Sequence, residues 1–147
     1  MRVSLDNCSL NRPFDDQNQM RVRLESEAKL YVQDKIKKNE IELVWSYILD
    51  IKNDQNPFEE KRKAINNWKK LAIIDVEETA ILLKRAKIFV PYGIKAKDQL
   101  HVSAAIEGKA EYFVSTDDKL LKNLSVLEEI HLVNPLYMIG VIDEHNN

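Results

Sequence analysis

The chain has 147 residues, 44% of them hydrophobic, with 22 Lys and Arg against 24 Asp and Glu. That length suits one domain that buries its own core, and three glycines with four prolines exclude collagen-like and low-complexity classes and disfavour a turn-rich β-sandwich. Gly93, Gly108 and Gly140 lie too far apart for a phosphate-cradling loop, Cys8 has no partner for a disulfide or zinc pair, and His101, His131 and His145 are too scattered for a zinc-protease helix.

Taken in chain order, Arg2 to Asp6 reads as a short strand ending on an acid. Residues 17–38 follow, with Met20, Leu24, Ala28, Tyr31 and Ile36 near helical spacing, and Asp15 or Asp16 is placed to cap that helix. Ile41 to Trp45 is a second strand, and Ser46 is an N-cap for a short helix through Asp50. NDQNP (53–57) is a turn, with Pro57 at the first position of a helix to about Lys70. Ala72 to Val76 reads as strand or connecting loop. Glu77 to about Phe89 is helical, and a further helix from Lys95 through Glu107 stops at Gly108, the expected C-terminal glycine. Tyr112 to Ser115 is a strand, Asp117 to Asn123 a short helix, Ile130 to Val133 a strand, and an apolar segment closes from Pro135 to Ile142. This alternation argues for a single α/β domain with a mostly parallel sheet, covered on both faces by helices.

The opening MRVSLDNCSL has no apolar run of signal-peptide length, and no stretch of eighteen apolar residues occurs. With one unpaired cysteine, the expectation is a cytoplasmic protein with no membrane span. The net charge of −2 hides an asymmetry: Lys61 to Lys97 holds ten Lys and Arg against Asp75, Glu77 and Glu78, a local net of +7 that leaves −9 for the rest. Such a strip can meet a polyanion, with Lys61, Arg62 and Lys69 as phosphate contacts; the plainer reading is the wet face of two helices.

Open parallel sheets bind ligands at the carboxyl ends of their strands. Asp6 closes the first strand, Asp117 closes the YFVST strand, and Asp50 lies about one helical turn beyond IELVW. Asp98 begins a helix face that continues through His101, Val102 and Ala105. Two bare carboxylates about 4 Å apart repel by roughly 4 kcal/mol at an effective dielectric near 20. Such a cluster takes up protons or a cation, and hard oxygen donors select Mg²⁺ or Mn²⁺ over zinc. An acid cluster beside a positive strip outlines a metal-dependent nuclease.

LDN (5–7), WSYILD (45–50), KDQLHVSAA (97–105) and YFVSTDDKLL (112–121) together resemble the PIN-domain family, which includes VapC-type ribonuclease toxins. The resemblance implies a PIN-like domain that hydrolyses phosphodiester bonds, in RNA more than DNA. It makes Asp6, Asp50, Asp98 and Asp117 the acidic residues. Asp6, Asp98 and Asp117 would hold metal and Asp50 would complete the shell, directly or through a water. Ser115 would help hold the site and Arg12 could reach a phosphate. It further implies a homodimer and a small antitoxin partner. Two departures stand out: the first strand end reads Asp6-Asn7-Cys8, and Asp50 is one methylene shorter than the family's usual Glu. They keep open a degraded PIN-like module that binds RNA or a protein without cleaving. A phosphotransfer domain also places Asp at a first strand end, but Asn7 and Cys8 lack its second acid.

Overall fold

The computed structural model describes residues 1–10 and 20–146; Arg12 and the Asp15 or Asp16 cap lie outside the described residues. Strands β1 (Arg2–Leu5), β2 (Glu42–Ser46), β3 (Ile74–Val76), β4 (Tyr112–Val114) and β5 (His131–Val133) form one sheet in the order β3-β2-β1-β4-β5. Every pairing is parallel, with Ser4 beside Val44 on one side and Phe113 on the other. The chain winds outward from β1 through β2 to β3, then crosses back to lay β4 against the other edge of β1. The winding therefore reverses between β1 and β4, which is where open α/β sheets gather a ligand.

Strand residues point alternately to opposite faces, and both faces here are covered. Val3, Leu5, Leu43, Trp45, Val114 and Val133 pack on one side with α2 (Met20–Lys37) and α8 (Pro135–Asn146), through Val32, Ile36, Met138 and Ile142. Val44, Val76 and Phe113 face the other way, against Leu82 of α5 (Ala80–Ile88) and Val102 and Ala105 of α6 (Ala96–Glu107). Two-sided burial explains why the strands read as short apolar runs rather than alternating ones. Between them lie the one-turn helix α1 (Asn7–Leu10), α3 (Tyr47–Asp54), α4 (Glu59–Lys69) and α7 (Asp118–Asn123).

Several local expectations shift. The buried row of α2 is Ala28-Lys29, Val32-Gln33 and Ile36, while Met20 and Leu24 face out at 66% and 43% exposure. Gln33 earns its place inside by donating to the Ser9 carbonyl at 2.9 Å. Ser46 precedes α3 as expected, but its buried hydroxyl makes no capping bond. Pro57 lies two residues before α4 rather than within it, since Phe58 holds the N-cap position. Thr79 caps α5 by accepting from the Leu82 amide at 3.1 Å, a cap the sequence reading passed over. Gly108 ends α6 with ordinary backbone angles (φ −75°), and the left-handed residue is Lys109 (φ 61°). The glycine is needed for space: a Cβ there would lie 2.5 Å from Val44 Cγ1 and 3.1 Å from Val76 Cγ2. That absence of a side chain lets the end of α6 rest directly on β2 and β3.

Candidate functional site

Asp6 leaves the end of β1 with its amide still donating to the Val114 carbonyl at 2.9 Å, so its backbone is fixed by β4. Its carboxylate is then claimed from three directions. The Asn7 amide donates to Oδ1 at 2.7 Å, the Ser115 hydroxyl donates to Oδ2 at 2.9 Å, and the Lys52 ammonium stands 3.3 Å from Oδ1. Ser115 Oγ in turn accepts from the Asp117 amide at 3.1 Å, tying the ends of β1 and β4 together through one buried hydroxyl.

Asp98 enters from the first turn of α6, and the same Lys52 ammonium lies 3.4 Å from its Oδ1. One turn later on α6, His101 presents Nδ1 to Lys52 at 3.4 Å and to Asp6 Oδ1 at 3.8 Å. The His101 ring is fully buried and meets Phe113 edge-on, with centroids 4.8 Å apart. With Lys52 donating to Nδ1, the ring proton sits on Nε2, which is buried without a hydrogen-bond partner. Lys52 is thus shared almost equally among two carboxylates and an imidazole. It projects from α3 one turn beyond the buried Ile48, on the side that faces the switch point.

The electrostatics follow from burial and this lysine. Burial works against the Asp6 carboxylate, yet Lys52, His101, the Ser115 hydroxyl and the Asn7 amide outweigh it and hold its pKa below the usual value. Asp98 goes the other way: burial, opposed by Lys52 but aided by repulsion from Asp6 and Asp117, raises its pKa. Burial first, and Lys52 second, push the pKa of His101 down to about 3, so its imidazole is neutral near pH 7.

The remaining predicted residues are placed differently. Asp117 is exposed and caps α7, accepting from the Leu120 amide at 3.2 Å, near enough to Asp98 to repel it. Asp118, the first residue of α7, pairs with Arg21 at 2.6 Å. Asp50 is not brought into the cluster by any bond: it accepts from Trp45 Nε1 at 3.1 Å and pairs with Lys69 at 3.2 Å. Lys69 also reaches Asp75 at 3.5 Å, Arg62 donates to the Asn56 carbonyl, and the Lys61 ammonium lies over the Phe58 ring at 4.7 Å. Other strip cations are matched locally too, with Lys63 on Glu59 and Arg85 on Glu107. Cys8 Sγ accepts from Thr116 Oγ1 at 3.3 Å. A cleft of about 380 Å³ opens along β5, lined by residues such as Tyr112, His131 and Tyr137; none of the four acids lines it.

No family model matches the chain and no curated protein matches it in sequence. Solved structures do share its architecture. VapBC2 from Rickettsia felis, bound to a DNA fragment from its promoter, superposes with a TM-score of 0.59 over 91% of this chain and 98% of that one, at 14% identity. FitAcB from Neisseria gonorrhoeae gives 0.56 over 90% and 97%, also at 14% identity. The fold is PIN-like.

In this PIN-like fold the metal implied by the resemblance can be tested against the donor geometry. A magnesium ion takes oxygens at about 2.0–2.1 Å. Here the point between Asp6 and Asp98 is held by an ammonium, with the two Oδ1 atoms 3.3 and 3.4 Å from it. Among the described residues, no group of three or more His, Cys, Asp or Glu is drawn together as a metal-holding set. With the Lys52 ammonium between them, Asp6 and Asp98 do not fit a divalent ion.

Proposed function

We propose that this chain is a PIN-like nuclease module directed at RNA, with Asp6, Asp98 and Asp117 at its working site. The observation that carries the reading is convergence at the switch point: Asp6 and Asp98 share one cation, and Asp117 is linked to Asp6 through Ser115. The raised pKa of Asp98 marks its charge as a cost to the fold, a pattern typical of functional sites. The neighbours VapBC2 and FitAcB support a toxin of this class, and with it an antitoxin partner; the homodimer rests on the sequence resemblance alone.

In the resting arrangement the chain's own groups prepare the site for a phosphodiester. Ser115 fixes the Asp6 carboxylate, neutral His101 accepts from Lys52 from its buried position, and Asp117 stands exposed beside them. A second reading, binding without cleavage, is favoured by the same lysine, since a carboxylate pair already neutralised has less call for a metal. Incubating a pool of RNAs with the protein, in Mn²⁺ and in chelator, separates the two. Cleavage that disappears in Asp98→Asn supports the nuclease. Retention of RNA without cleavage supports the binding module, and neither cleavage nor retention overturns both.

A further inference from the structure

We infer that Lys52 is a tethered cation that occupies the place of a divalent ion, so that metal and lysine compete for Asp6 and Asp98. The inference deepens the reading of this cluster as the working site and rests on that reading for the identity of the ion. Three features of the structure support it. The ammonium is not clamped on one partner: it stands 3.3 Å from Asp6 Oδ1, 3.4 Å from Asp98 Oδ1 and 3.4 Å from His101 Nδ1. Tight charge-assisted bonds are shorter, about 2.7–2.9 Å. A group centred among acceptors at longer range is placed as an ion is placed, by the summed field of its surroundings.

Secondly, the donors belong to a rigid frame while the lysine does not. Asp6 is held by the Asn7 amide and the Ser115 hydroxyl, and Asp98 by the first turn of α6. Lys52 reaches them on a four-carbon stem from α3, with its side chain 16% exposed, so it can withdraw towards solvent while the carboxylates stay in place. Thirdly, a vacated site would be unstable. Two carboxylates and the nearby Asp117 would face one another, the repulsion already felt by Asp98. The vacated cluster takes up either a proton or another cation.

Competition of this kind lowers the apparent affinity for metal by the fraction of time the site is open. A lysine that fills the site nine-tenths of the time therefore weakens metal binding about tenfold. Conversely, an acid at position 52 would convert the competitor into an additional oxygen donor. The carboxylates, the serine and the histidine would all be unchanged.

Mn²⁺ titration by calorimetry, paired with melting curves in Mn²⁺ and in chelator, tests this on the wild type, Lys52→Gln and Lys52→Glu. The expected result is weak or absent binding by the wild type, about tenfold or more tighter binding by Lys52→Gln, and tighter still by Lys52→Glu. Adding Asp98→Asn to Lys52→Gln should remove the gain. Equal Mn²⁺ affinity in wild type and Lys52→Gln overturns the inference. If Lys52→Gln is unfolded in chelator, circular dichroism decides: refolding on Mn²⁺ supports the exchange of one cation for the other, and a chain still unfolded in Mn²⁺ overturns it. RNA cleavage is measured separately, so a chain that binds Mn²⁺ as expected but cuts no RNA fails as a nuclease while the exchange stands.

Discussion

Two acid–lysine–acid clusters sit at the carboxyl edge of the same sheet. At the centre, Asp6 and Asp98 share Lys52, with side-chain exposures of 13%, 19% and 16%. Beyond β2, Asp50 and Asp75 share Lys69, with exposures of 33%, 44% and 41%. The charges are the same and the distances alike, but the surroundings differ. In the outer cluster water screens every partner, and such pairs contribute from nothing to about 1 kcal/mol. In the central one the groups are mostly removed from water, so each depends on the others to stay charged. Similar residues make a surface decoration in one place and an interdependent site in the other.

The comparison breaks most sharply at the two lysines. Lys52→Met should destabilise the metal-free protein by about 3–5 kcal/mol, because it strands the buried Asp6 charge; urea unfolding measures this, and a loss below about 1 kcal/mol would place the central cluster in the class of the outer one. The next effect is in pH. The folded pKa of His101 is about 3 against 6.5 unfolded, so the unfolded state takes up a proton the folded state refuses. Stability should fall as pH drops from about 6.5 towards 3, by up to about 1.4 kcal/mol per unit, and His101→Leu should flatten that slope. Asp98 has the opposite sign: its raised folded pKa makes the charged form the costly one at neutral pH. Asp98→Asn should therefore stabilise the metal-free protein slightly, by about 1 kcal/mol or less, seen as a small rise in Tm near pH 7. Smallest of all, Lys69→Met should change stability by less than about 1 kcal/mol, with added salt masking the difference.

The legible parts of this molecule were those written locally. Short apolar runs bounded by helical patterns place four of the five strands, with Ala72 to Val76 open between strand and loop, and the face Asp98, His101, Val102, Ala105 could be read from spacing alone. Asp6 and Asp117 were legible because a strand end fixes where the next side chain stands. Asp50 was not, because it lies on a helix, where direction turns by about 100° per residue. Two residues on, Lys52 points the opposite way, and it is Lys52 that faces the switch point. The signal available was its spacing of four from Ile48, the apolar residue that marks the inward side of α3. Charge summed along the chain also leaves unread which strip cations are matched: Asp50, Glu59 and Glu107 meet Lys69, Lys63 and Arg85 in space.

The bond from Ser115 to Asp6 joins residues 109 positions apart. β1, the central strand, is flanked by β2 and β4, and neither parallel pairing can be made by a tight hairpin. Order must therefore arrive in stages: β1 can find β2 early, while β4 comes only after five further elements have been threaded between them. Contacts of such long sequence separation form slowly. A chain only partly synthesised or partly folded carries Asp6 but lacks the β4 end whose Ser115 locks its carboxylate. Any activity that depends on that lock appears only with completion of the sheet, which gives the cell an interval in which the nascent protein is chemically silent.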